Sequence, residues 1–184
     1  MLPCLYAFLP NKQTSTYVAL LRIIQDFCLE HNITFNPGCI HIDFEQSMIA
    51  AIRSVFQAGT IRGCTFHFGQ CIWRNAQNFG LLKQSRNLDQ IDRCLKMLTT
   101  LPMIKPWEID SAYQYIIAQA PQDMSGFMVY FESNFIANNA RFPRTLWNHY
   151  GSIAPWTSNH VEVFIIVLKD HTSRRNYGYL SSTS

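Results

Sequence analysis

Within the first 80 residues, short apolar runs alternate three times with stretches of helical period. Few architectures accept that alternation, because strands separated by helices return to a sheet as parallel neighbours. Leu2 to Leu9 reads as a strand that ends at the Pro10-Asn11 turn. Thr14 or Ser15 is placed to cap the next helix, in which Tyr17, Leu20, Leu21, Ile24 and Cys28 share one face. His31 and Asn32 close it, and Asn36-Pro37-Gly38 marks a turn. Cys39 to Ile42 is the second strand and Asp43 ends it. A helix then carries the stripe Phe44, Met48, Ala51, Ile52 and Val55. Thr60 to Thr65 reads as the third strand, and the helix from Phe66 stops at Gly80, a favoured C′ residue. The fold class expected is α/β.

Beyond Gly80 the strand signal disappears. Leu88, Ile91, Leu95 and Leu98 keep helical spacing, Pro102 and Pro106 interrupt, and helices follow over Trp107 to Gln119 and Ser125 to Asn138. The domain expected therefore spans residues 1–170: an α/β part (1–80), an all-helical insertion (81–145) and a return to the core (146–170), before a polar tail (171–184). A chain that is 48% hydrophobic and 15% charged folds rather than staying disordered. No run approaches the ~20 apolar residues that cross a bilayer. The apolar start lacks a basic n-region, which argues against secretion. The six cysteines lie mostly in apolar patterns and read as reduced, buried thiols. A net charge of +3 leans only weakly toward anionic partners.

Asp43 stands where α/β sheets present catalytic and metal-binding groups, at a strand's carboxyl end. It also reads as an N-cap for the following helix, and the two roles are compatible. Glu45 reads as an exposed first-turn acid favoured by the helix dipole. Glu162 offers a second carboxylate in a polar turn, just before the β-branched run Val163 to Leu168. If that run is a strand, Glu162 need not face Asp43. Cys64, His67 and Cys71 form a C-x-x-H-x-x-x-C string that suits packing better than zinc, since no second ligand pair follows. Arg53, Arg62, Arg74, Lys83 and Arg86 are the cations available for phosphate, with Arg74 and Lys83 flanking one helix end. Phe127, Tyr130, Phe131, Phe135 and Trp147 read as helical core rather than base-stacking surfaces.

Five segments, in order, resemble the transposase domain of Mutator-like elements (MULE). They are Tyr6-Ala7-Phe8-Leu9-Pro10-Asn11-Lys12 leading to Thr16-Tyr17; Ile42-Asp43-Phe44-Glu45; Gly63-Cys64-Thr65-Phe66-His67-Phe68; Trp147-Asn148; and Thr157-Ser158-Asn159-His160-Val161-Glu162. The resemblance implies a ribonuclease H-like fold that cuts and joins DNA through a DDE carboxylate triad holding Mg²⁺ or Mn²⁺. It makes Asp43 the second acid, Glu162 the third, and both of them metal ligands. Cys64 and His67 match the family's C-x-x-H signature beside the site. The chain differs from the family at Trp156, Ser158 and Ile165, where Arg, Asn and His are usual. The first acid belongs to a strand that would precede Leu2, so the sheet expected is incomplete and the chain alone inactive. A working transposase completed by further strands is the alternative.

The resemblance also implies transposon-end DNA as partner and the nucleus as location. A third reading, from another class, is an interaction module whose open sheet edge binds a protein or a second copy by strand addition. With its central strands missing, Leu2 to Leu9 is expected either to pair with Cys39 to Ile42 or to remain an open edge, with marginal stability.

Overall fold

The structure is a computed structural model that describes residues 5–56, 59–83, 87–152 and 165–167. The alternation stands in the order β1 (Ala7–Leu9), α1 (Thr14–Glu30), β2 (Cys39–Ile42), α2 (Gln46–Val55), β3 (Thr60–Gly63) and α3 (Thr65–Asn78). Strands β2 and β3 pair in parallel from Cys39 opposite Thr60 to Ile42 opposite Gly63. Helix α2 is the crossover that a parallel pair requires.

β1 follows neither expected course. It pairs in parallel with β4 (Ile165–Val167), Ala7 opposite Ile165 and Leu9 opposite Val167. The described strands thus form two separate two-stranded sheets, β1-β4 and β2-β3. The β-branched run after Glu162 is a strand over those three residues, and a distant segment meets the need of β1 for a partner.

Helix starts differ from the sequence reading for local reasons. The N-cap of α1 is Gln13, which makes no side-chain cap; Thr14 is already helical. Asn11 does the capping work from two residues earlier. Its Oδ1 accepts the Gln13 N–H at 3.0 Å and the Thr16 hydroxyl at 2.6 Å. Helix α2 begins only at Gln46, so Phe44 precedes it, and its buried residues are Ile49, Ala51 and Ile52. Gly80 behaves as read: Asn78 ends α3 and Gly80 takes φ +76°, the left-handed turn that glycine adopts without a Cβ penalty.

The chain from 88 to 147 is helical wherever it is regular, with α4 (Leu88–Thr100), α5 (Ile109–Gln119), α6 (Ser125–Phe131) and α7 (Arg144–Trp147). Pro102 and Pro106 each sit in the first turn of a short 3₁₀ segment, Leu101–Met103 and Pro106–Glu108, where a missing N–H is harmless. The second of these segments therefore takes Trp107 before α5 starts. Past α6 the coil widens into a π turn over Glu132–Ile136.

These helices share one core with the α/β part. Phe68 of α3 stacks on Trp147 of α7 at 5.3 Å and meets Phe131 and Phe135 edge-on at 6.4 and 5.1 Å. Ile49, Ile72, Ile91, Leu95, Tyr113 and Phe127 belong to the same cluster. Phe127, Phe131, Phe135 and Trp147 are buried, as their spacing led us to expect. A smaller cluster of Leu9, Tyr17 and Ala51 joins β1, α1 and α2. Outside it, Phe8, Ile23, Phe27 and Leu29 are exposed. Among the described cysteines, Cys28, Cys39, Cys64, Cys71 and Cys94 are free thiols. Cys64 and Cys94 are buried, but Cys39 is exposed at the start of β2, against expectation.

Candidate functional site

Asp43 is the first residue past β2, at its carboxyl end, beside the end of β3. It does not cap α2; Glu45 holds the N-cap position. Its carboxylate instead sits in the loop between β2 and α2, two residues before that N-cap. The carboxyl pKa is raised above the ordinary value by desolvation and then by the negative charge of Glu45. The charges of His67 and Lys12 oppose that rise. The residue is exposed, so water reaches it, but surrounding protein still displaces part of its wider hydration.

Glu45 is not the exposed acid the sequence suggested. Its side chain is 22% exposed, and both oxygens are engaged. Tyr17 Oη donates to Oε1 at 2.8 Å, and Lys12 Nζ to Oε2 at 3.3 Å. Tyr17 is fully buried, and burial followed by the bond to Glu45 pushes its pKa up.

The C-x-x-H-x-x-x-C string divides in three directions. Cys64 is the buried N-cap of α3; its N–H donates to Ile42 O at 2.8 Å, tying α3 to the end of β2. His67, one turn on, stands near enough to Asp43 to act on its charge. Cys71 Sγ lies 3.8 Å from Tyr130 Oη and 3.5 Å from Asn75 Nδ2. Among the described residues no three or more His, Cys, Asp or Glu side chains gather as a metal site. Asp43 therefore suits a hard cation as one oxygen ligand, but its described neighbours do not complete a coordination shell. Glu162 lies outside the described residues, as do Trp156 and Ser158.

Behind the strand ends is a pair of histidines that sequence reasoning missed. His149 is buried, and its Nε2 donates to Gly63 O at 2.7 Å. Its ring lies nearly parallel to that of His41, 13° apart in plane at 6.5 Å. Desolvation, with lesser contributions from Arg62 and His41, lowers the His149 pKa below the usual imidazole value. A neutral ring protonated on Nε2 fits the bond to the carbonyl. The only hint was the adjoining Trp147-Asn148 segment, and a lone histidine after it carries no periodic signal.

Of the cations, Arg74, Lys83 and Arg53 are exposed. Arg62 turns inward and donates to Thr145 O at 3.2 Å and Asn148 O at 2.8 Å, which removes it from the phosphate-contact set. Arg86 lies outside the described residues. Among the described residues, no helix is long and apolar enough to cross a membrane.

The family model of the MULE transposase domain matches residues 1–71. The match holds β1 through the first half of α3, with Asp43, Cys64 and His67 inside it. It ends before Trp147-Asn148 and Glu162, which the sequence resemblance had included. No curated protein and no solved structure matches the chain significantly.

Proposed function

We propose, from the MULE transposase domain that residues 1–71 match, that this chain is a transposase-derived domain acting on transposon-end DNA in the nucleus. The observation that carries the reading is Asp43, a raised-pKa carboxylate at a parallel strand's carboxyl end, inside the matched segment. In this reading β2-β3 and β1-β4 are parts of an incomplete ribonuclease H-like sheet, and residues 81–145 are its helical insertion. Asp43 and Glu162 are two acids of a DDE set for Mg²⁺ or Mn²⁺. Metal bound there would stabilise the attacking and leaving oxygens of a phosphodiester, work that normally uses two ions held by several carboxylates. Among the described residues one such acid, Asp43, reaches the surface; in this reading the chain alone does not cleave DNA. Arg74 and Lys83 supply non-specific phosphate contacts.

A nicking assay on supercoiled DNA with Mg²⁺ or Mn²⁺ tests both parts. No cleavage, together with metal-dependent DNA binding that Asp43→Asn weakens, is the outcome expected. Cleavage that Asp43→Asn abolishes would show an active transposase and overturn the inactive reading. One observation favours a second reading, a protein-interaction module: Phe8 on β1 and Ile23, Phe27 and Leu29 on α1 are each exposed. Self-association or partner capture that survives Asp43→Asn and Glu162→Gln but is lost in Ile23→Ser/Phe27→Ser would favour it.

A further inference from the structure

We propose that Asn11, Lys12 and Tyr17 form a clamp on Glu45 that, through the Glu45 backbone, sets the position of the Asp43 carboxylate. The three are positioning residues, and their consequence for metal rests on the reading of Asp43 given above.

Glu45 is the junction of the loop. It stands two residues from Asp43 in the same loop, and its C=O accepts the Ile49 N–H at 3.0 Å, the first bond of α2. Its side chain ties that junction to another element altogether. Tyr17 lies 28 positions earlier and Lys12 33 positions earlier, and each takes one carboxylate oxygen. The buried Tyr17 hydroxyl needs a partner, and Glu45 Oε1 supplies it at 2.8 Å. Lys12 neutralises the acid and occupies Oε2, which leaves Asp43 as the outward carboxylate. Asn11 sets the turn that aims Lys12, since its Oδ1 holds both Gln13 N and Thr16 Oγ1. Two sequence segments with no evident connection, Pro10-Asn11-Lys12 with Thr16-Tyr17 and Asp43-Phe44-Glu45, thereby become one device. Without it, Glu45 is free to swing toward Asp43 and repel it, and the loop that carries Asp43 loses its anchor.

The test uses the full metal-free chain and amide hydrogen exchange. Tyr17→Phe keeps the ring and removes the hydroxyl. Exchange at the Ile49 amide, which is bonded to Glu45 O, should rise about 5- to 10-fold, the loss of one hydrogen bond's worth of protection. The Phe56 amide, bonded to Ile52 O at the far end of α2, should not change. Lys12→Met, at a side chain 58% exposed, is the second variant and leaves the core intact. It should act in the same direction. Mn²⁺ affinity, read by electron paramagnetic resonance, should fall about 10-fold in Tyr17→Phe, the usual effect of losing an outer-shell partner. Unchanged exchange at Ile49 would overturn the clamp, as would an equal rise at Ile49 and Phe56, which would mean mere helix stabilisation. If the exchange pattern is as expected but Mn²⁺ binds Asp43→Asn as well as the parent, the clamp stands and the metal role of Asp43 falls.

Discussion

At Asp43 the protein opposes the charge that its proposed role requires. Because the folded pKa is raised, folding favours the protonated acid: that contribution is present below the unfolded value and lost as pH rises through the folded one. Asp43→Asn should therefore melt at the same temperature as the parent or higher at pH 7, with the difference vanishing near pH 3. A lower Tm at pH 7 would mean that the loop needs the negative charge. His149 has the opposite linkage. Its folded pKa is depressed, so its stabilisation is complete above about 6.5 and is lost as pH falls through the folded value. Urea midpoints should drop between pH 7 and pH 5, and His149→Gln should flatten that drop. Gly63 is tight for a separate reason. A Cβ there would lie 2.6 Å from Phe44 Cζ, and Phe44 is held by Phe68, Phe135 and Phe142 at 5.8, 6.0 and 5.2 Å. Gly63→Ala should destabilise by about 1–3 kcal/mol, with Phe44→Leu relieving part of it in a double-mutant cycle.

At the scale of elements, the end of α3 gives the cleanest case of a legible signal. A helical pattern that stops at glycine predicts a left-handed C′ residue, and Gly80 has φ +76° with nothing near its would-be Cβ. Gly80→Ala should cost about 1–2 kcal/mol through backbone strain alone, measurable by chemical denaturation, and Gly80→Asn less. Elements with several independent signals were readable: β2, β3, α3 and α4 fall within a few residues of where periodicity put them. The starts of α1 and α2 were not. Asn11 caps from outside the helix, and Glu45 rather than Asp43 takes the N-cap position of α2, two choices set by local geometry that composition does not show. The partner of β1 was unreadable for a different reason. Pairing depends on which edge another segment reaches, and residues 7–9 meet 165–167 across nearly the whole chain.

At the scale of the whole molecule, stability is divided unequally. The Phe68–Trp147 stack ties the α/β part to the helices through a core that runs from α2 to α7, whereas β1 and α1 rest on the small Leu9, Tyr17 and Ala51 cluster. Native-state hydrogen exchange should show α1 opening at lower free energy than α3 and α4. Trp147→Ala should remove about 3–5 kcal/mol and lower protection throughout the larger core. Uniform protection across α1 and α3 would contradict that division. The sequence by itself determined the alternation of strands and helices, the helical character of residues 88–147, the aromatic core and the placement of Asp43 at a strand end, because each leaves a local periodic or turn signature. Only the tertiary structure decided that Arg62 faces inward, that Cys64, His67 and Cys71 part company, and that Lys12 and Tyr17 hold Glu45. Those outcomes depend on which surfaces meet in space, and side-chain partners far apart in sequence leave no period by which to read them.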